Sequence, residues 1–258
     1  MTDAALQRFA ADYAQHRATE GRGYSGEALF SLPYLKDGPF AAQWAVRART
    51  FDAFMARVLR PAGPARTILD LGAGNGWLSY RVALEGHHVI ALDIRDDAVD
   101  GLGAAAPFLD RVPGMERMVA SFDEIPLDTA SVDIAVFNAA LHYATDLRTV
   151  LGEAARVTRP GGRIAILDSP FYARESDGLA MVAEKRAQAS DRFGDRAGSL
   201  LALPFVEFLT RERLAAASDL VWKRIRVGYP LTYELRPLRA ALTGKRVPSR
   251  FDLWVAKR

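Results

Sequence analysis

Gly72, Gly74 and Gly76 stand at every second position, directly after the apolar run "TILDL" (67–71) and before the helix-like stretch "GWLSYRVALEG". A glycine turn between strand and helix lets backbone approach a ligand closely, and the helix start offers unpaired N–H groups. The neighbours narrow the ligand. A dinucleotide fingerprint reads GxGxxG, whereas here the spacing is GxGxG and Trp77 fills the sixth position. That bulk works against the close helix packing a pyrophosphate requires. Asp70 lies two residues before the first glycine, and a fixed carboxylate repels phosphate but suits a cation. Asp93 ends the next apolar run, 17 residues after Gly76, where a carboxylate can accept both hydroxyl protons of a ribose. A ligand with a positive end near Asp70 and a ribose at Asp93 answers to S-adenosylmethionine (SAM).

These residues need a scaffold that aligns strand ends. From 66 to 168 short apolar runs alternate with helical stretches: strands at 67–71, 88–93, 116–120, 132–138 and 163–168, and helices at 76–86, 96–106 and 146–158. Asp146 is placed to cap the last of these, and Pro160-Gly161-Gly162 marks a turn before the fifth strand. Continuous buried strands alternating with helices indicate a doubly wound parallel sheet. Upstream, Trp44, Ala48, Phe51, Met55 and Val58 share one helix face directed at a core. Downstream, 220–229 and 250–258 read as two strands joined by a loop holding Pro230, Pro237 and Pro248. The expected architecture is therefore a Rossmann-like α/β fold with seven strands. It forms a single domain with a helical cap (1–60), a binding core (61–168), an insertion or lid after strand five (169–218) and a C-terminal strand pair (219–258).

Half of the 258 residues are hydrophobic, enough for a sizeable core, and the formal net charge is only +3. The basic residues, 29 Arg and 5 Lys, read as scattered along the chain, so a nucleic-acid partner is not expected. There is no cysteine, which excludes disulfides and thiolate chemistry, and no His/Asp/Glu cluster has metal-ligand spacing. No signal-like or membrane-spanning run is visible, so the expectation is a cytoplasmic protein with no membrane partner. The sequence leaves oligomeric state open.

Four blocks in order, "ILDLGAGNGWLS", "VIALDI", "MVASFDEIPLDTASVDIAVFNAALHYATD" and "EAARVTRPGGRIAILDSP", cover 66–168. In them the chain resembles the class I SAM-dependent methyltransferases, especially the small-molecule branch of ubiquinone/menaquinone biosynthesis C-methyltransferases (methyltransferase type 11). The resemblance implies a sheet whose last strand runs antiparallel, with SAM as cofactor and S-adenosylhomocysteine (SAH) as product. It implies that Gly72, Ala73, Gly74, Asn75 and Gly76 wrap the methionine end of SAM with Asp70 assisting. Asp93 would hold the ribose, Ile94 would pack on adenine, and Asn138 would lie near the methionine. Ser121 stands where relatives carry an adenine-binding Asp; its hydroxyl, followed by Phe122, takes that place, or Asp123 does so from a shifted position. His142 is the candidate general base, since histidine alone has an unperturbed pKa near neutrality. Tyr24 and Tyr34 in the cap and Phe171 and Tyr172 after strand five are candidate contacts to a small, apolar or aromatic acceptor. The competing readings are a tRNA or rRNA methyltransferase, a nicotinamide dehydrogenase, and a SAM-binding protein without turnover.

Overall fold

The computed structural model describes residues 3–258. Seven strands form one sheet: β1 (Thr67–Leu71), β2 (His88–Asp93), β3 (Met115–Val119), β4 (Val132–Asn138), β5 (Thr158–Leu167), β6 (Lys223–Ile225) and β7 (Leu253–Lys257). Their order is β3-β2-β1-β4-β5-β7-β6. The first five are parallel, while β7 runs antiparallel to both β5 and β6. The chain winds outward in opposite directions from β1 and β4, so a crevice opens beyond their carboxyl ends. Leu71 and Phe137 are register partners there, which sets Gly72 beside Asn138.

In chain order the helices are α1 (Asp3–Thr19), α2 (Gly26–Ser31), α3 (Ala41–Phe54), α4 (Trp77–Leu84), α5 (Ala106–Leu109) and α6 (Leu147–Val157). They continue with α7 (Glu175–Ala187), α8 (Ala189–Phe193), α9 (Ala197–Leu200), α10 (Arg211–Ala217), α11 (Leu231–Glu234) and α12 (Arg236–Leu242). Side chains alternate across the strands and bury both sheet faces. Ile68, Ile134 and Leu167 meet Phe51, Phe54 and Val58 of the α3 region on one face. Leu69, Phe137 and Ile166 meet Val150, Leu151 and Leu214 of α6 and α10 on the other. A third cluster joins Phe9 of α1 to Ala189, Phe193, Leu200 and Leu203 of the insertion. The cap and the insertion therefore pack on each other as well as on the sheet.

The expected strands, the cap helix and the Asp146 cap are present; the Asp146 carboxylate accepts from the N–H groups of Arg148 (2.8 Å) and Thr149 (3.3 Å). Three segments differ. The helix expected over 96–106 starts only at Leu102, as a 3-10 turn (Leu102–Ala105) that runs into α5, because Asp97 Oδ1 accepts from the N–H groups of Val99, Asp100 and Gly101 and folds the chain before it into a turn. Aspartate competes with helix in this way. Strand β5 begins at Thr158 rather than 163, carrying Pro160-Gly161-Gly162 as an irregularity where Gly161 has φ +83° and donates to Arg258 O. Strand β6 keeps only three residues of 220–229, and the loop expected after it contains α11 and α12.

Candidate cofactor and acceptor cleft

The glycine loop is held from below. Gly72 and Ala73 donate their N–H groups to Leu92 O, and Gly74 donates to Asp93 Oδ2 at 2.8 Å. All three glycines have positive φ: +74°, +54° and +71°. A Cβ on Gly72 would stand 2.4 Å from Ala140 Cβ, and one on Gly76 2.8 Å from Met115 Cε. The spacing GxGxG thus records three left-handed positions, two of them in steric contact with neighbouring strands and loops. Gly76 caps α4, and Trp77 behind it stacks edge-on against Trp44 (5.7 Å) and Phe51 (5.5 Å) of α3.

Above the loop lies a cleft of ≈ 1040 Å³, counted with its open mouth. Gly72, Ala73, Gly74, Asn75, Asp93, Ile94, Ser121, Phe122 and Asn138 all contribute to its wall, and Asp123 does too. Asp93 accepts from Gly74 N–H and from Arg95 N–H (2.9 Å). Two of the four lone-pair positions on a carboxylate are thereby used and two remain. Burial raises its pKa, while Arg95 and the two backbone donors pull against that shift. Asn138 is buried and its Oδ1 has no partner among the described residues. An orphaned acceptor in a cleft wall calls for a donor from a ligand or water.

Asp70 and Gly76 do not reach this wall. Asp70 is fully buried behind the loop, where Ser79 Oγ donates to Oδ2 at 2.8 Å and Oδ1 has no partner among the described residues. Burial pushes its pKa up to about 7, so it is no fixed charge at the cleft, and the cation argument moves to Asp93 and Asn138. His142 is half-buried and also outside the wall. Burial, with Lys185 and Arg47 adding to the effect, lowers its pKa to about 3. Such an imidazole stays neutral at pH 7 and is a weak base.

The four expected acceptor contacts lie elsewhere. The Tyr24 hydroxyl accepts from Trp44 Nε1 (2.7 Å), and Tyr34 donates to Asp52 (2.7 Å), so each fastens the cap. Phe171, stacked on Trp254 at 4.7 Å, and Tyr172 line a separate groove against Trp222 and Arg250. Their places in the wall are taken by residues the sequence reading passed over. Leu6, Phe9, Tyr13 and Arg17 follow one face of α1 and close the cleft from above. Tyr13 Oη lies 2.9 Å from Tyr143 Oη, Phe9 packs edge-on against Phe205 at 4.8 Å, and Arg17 Nε donates to Asp100 Oδ2 at 2.6 Å. Their helical spacing was a readable signal. Arg47 also faces the cleft, stacked over Trp44 at 4.9 Å and without an ion pair among the described residues. Nothing in the sequence set it apart from the other arginines.

The sheet order, the glycine loop at the end of β1 and the acid at the end of β2 define a class I methyltransferase core. Residues 69–166 match the family described as a methyltransferase domain. An uncharacterized methyltransferase of Mycobacterium tuberculosis is 39% identical over 109 residues, 42% of each chain. A ubiquinone/menaquinone biosynthesis C-methyltransferase of Acidiphilium cryptum is 36% identical over 106 residues, 41% of this chain and 43% of the relative. A tRNA 5-carboxymethoxyuridine methyltransferase of Escherichia coli is 32% identical over 128 residues, 48% and 47%. The matches thus span less than half the length of these relatives. Among solved structures, geranyl diphosphate C-methyltransferase of Streptomyces coelicolor superposes with a TM-score of 0.62 at 15% identity, covering 100% of this chain and 98% of that one. This likeness extends the shared fold beyond the core to the cap and insertion.

Proposed function

We propose that the protein is a SAM-dependent methyltransferase acting on a small, apolar or aromatic acceptor. The supporting observation is the lining of the cleft: a cofactor half of glycine backbone, Asp93 and Asn138, roofed by Phe9, Tyr13, Trp44, Tyr143 and Phe205. The residues fit the cofactor. Asp93 has lone pairs left for two ribose hydroxyls, the Asn138 orphan oxygen suits an ammonium, and unpaired Arg47 suits a carboxylate. Ile94, Ser121 and Phe122 offer the apolar slot and hydroxyl that an adenine requires.

Bound SAM supplies an activated methyl group, which leaves its sulfonium by in-line displacement. The protein then has to align the acceptor and keep water out, and alignment alone can supply about 7–11 kcal/mol of barrier reduction. The α1 roof performs both tasks here, since its Tyr13, Phe9 and Arg17 contacts shut the cleft on one side. Among the described residues no histidine or lysine lines the wall, so where the acceptor must lose a proton the wall offers a carboxylate, such as Asp123, or solvent to take it. Location in the cytoplasm accords with this reading, and no helix among the described residues is long and apolar enough to cross a membrane.

The relative that modifies tRNA favours one second reading. A roofed aromatic cleft argues against a polynucleotide, which needs an open path for its backbone. The two are separated by assaying labelled methyl transfer from SAM to phenols, quinols, amines and fatty acids beside total tRNA. Transfer to small molecules is expected; transfer to tRNA alone would overturn the acceptor assignment.

A further inference from the structure

Between β6 and β7 the chain forms α11 and α12, joined at Leu235 by two i→i−4 bonds: Leu235 N–H to Leu231 O and Arg239 N–H to Leu235 O. Leu231, Leu235, Leu238 and Leu242 recur at spacings of 4, 3 and 4, on one face of this helix. All four face solvent, with exposures of 72%, 40%, 56% and 78%. The opposite side fastens the helix to the body. Tyr233 stacks on Tyr229 at 4.0 Å, Glu234 takes two hydrogen bonds from Arg250, and Arg236 donates to Ser249 O. A held helix that presents a row of leucines outward is an unpartnered apolar surface.

Charge identifies the partner. Residues 226–252 contain six basic and two acidic side chains, against 28 basic and 29 acidic in the rest of the chain. The whole positive excess of the protein lies in this segment. Both acids are engaged with Arg250, and Asp252 also with Arg224. Arg226, Arg239 and Lys245 are exposed and make no ion pair among the described residues. Because β6 runs parallel to β5, this segment lies at the carboxyl edge of the sheet, the edge at which the cleft opens.

We propose that the α11–α12 face docks the protein on an anionic lipid surface, with the leucines entering the acyl boundary and Arg226, Arg239 and Lys245 meeting headgroups. An exposed aliphatic row with free cations in the same segment is what an interfacial helix needs. A second copy of this chain would bring like charges together. A nucleic acid would engage the cations and leave the leucine methyl groups in water. No helix enters the bilayer as a span; the contact is peripheral and turns the cleft edge toward the membrane.

The test is vesicle flotation of the full chain with phosphatidylcholine alone and with phosphatidylcholine mixed with phosphatidylglycerol, at low and high salt. Binding only to the phosphatidylglycerol vesicles is expected, weakened by salt and reduced by about tenfold in Arg239→Glu/Lys245→Glu. The double variant Leu238→Asp/Leu242→Asp should abolish binding while retaining wild-type melting and SAH affinity, which separates lost docking from lost folding. No flotation at low salt would overturn the proposal, as would equal binding to neutral vesicles. A sedimenting dimer dispersed by the Leu→Asp changes, or retention of tRNA in place of vesicles, would also overturn it.

Discussion

At Gly72 a methyl group is enough to disturb the site, because its Cβ would overlap that of Ala140 and its φ of +74° disfavours any L side chain. Gly72→Ala is expected to weaken SAH binding by about tenfold or more, as strain and displacement together cost about 1–3 kcal/mol, measured by calorimetric titration. Asp70 offers a pH test. Its folded pKa of about 7 lies above the unfolded value of 3.8, so the folded state binds the extra proton and stability falls as pH rises from about 4 to about 7. Asp70→Asn removes that loss, which is worth up to about 4 kcal/mol above pH 7. The melting temperature of the variant should gain on wild type between pH 5 and pH 8; a constant difference would count against a buried, high-pKa carboxyl. Spacing alone revealed the glycines and both acids. It did not reveal that Asp70 points away from the cleft while Asp93 faces it, because two residues on parallel strand ends look alike until the loop between them is folded.

Helix α1 covers the cleft; Phe9 packs it on the insertion, and two polar contacts latch it at the cleft, Tyr13 with Tyr143 and Arg17 with Asp100. The latch of a cover governs how fast a ligand leaves. Arg17→Ala should raise the SAH dissociation rate by about fivefold to thirtyfold, in proportion to about 1–2 kcal/mol of lost latch, while far-UV circular dichroism stays unchanged. Stopped-flow displacement of SAH reads this directly, and an unaltered rate would mean that α1 is only a packing element. On the far side of the sheet, Asp146→Ala should cost about 1 kcal/mol in urea unfolding through the lost cap of α6. Elements with strong period or a clear cap, such as β1, β4 and α6, were legible because local pattern and tertiary burial agree there. In the 96–106 segment the alanine-rich end is helical as expected, while the start is not, because Asp97 diverts three N–H groups into a turn. The α11–α12 helix was hidden by Pro230 and Pro237, which read as loop signals but sit at helix starts.

At the scale of the whole molecule, the matched core of about a hundred residues supplies the glycine loop, Asp93, Asn138 and Tyr143 to the cleft, and the parts outside it supply the rest of the roof. The core was legible through four motif blocks. The roof was not, since it brings together Phe9, Trp44, Tyr143 and Phe205, residues from distant parts of the chain whose meeting depends on how the cap and insertion pack. The expected acceptor contacts Tyr24, Tyr34, Phe171 and Tyr172 were chosen by residue type near the right strands, and they hold structure or line another groove instead. The central claim is that the cleft takes SAM with its ribose on Asp93. Calorimetric titration of SAH into the wild-type protein and into Asp93→Ala tests it most directly. Micromolar binding by the wild type and a loss of about tenfold or more in the variant are the results this account expects. No binding of SAH, or equal binding by the two proteins, would contradict it.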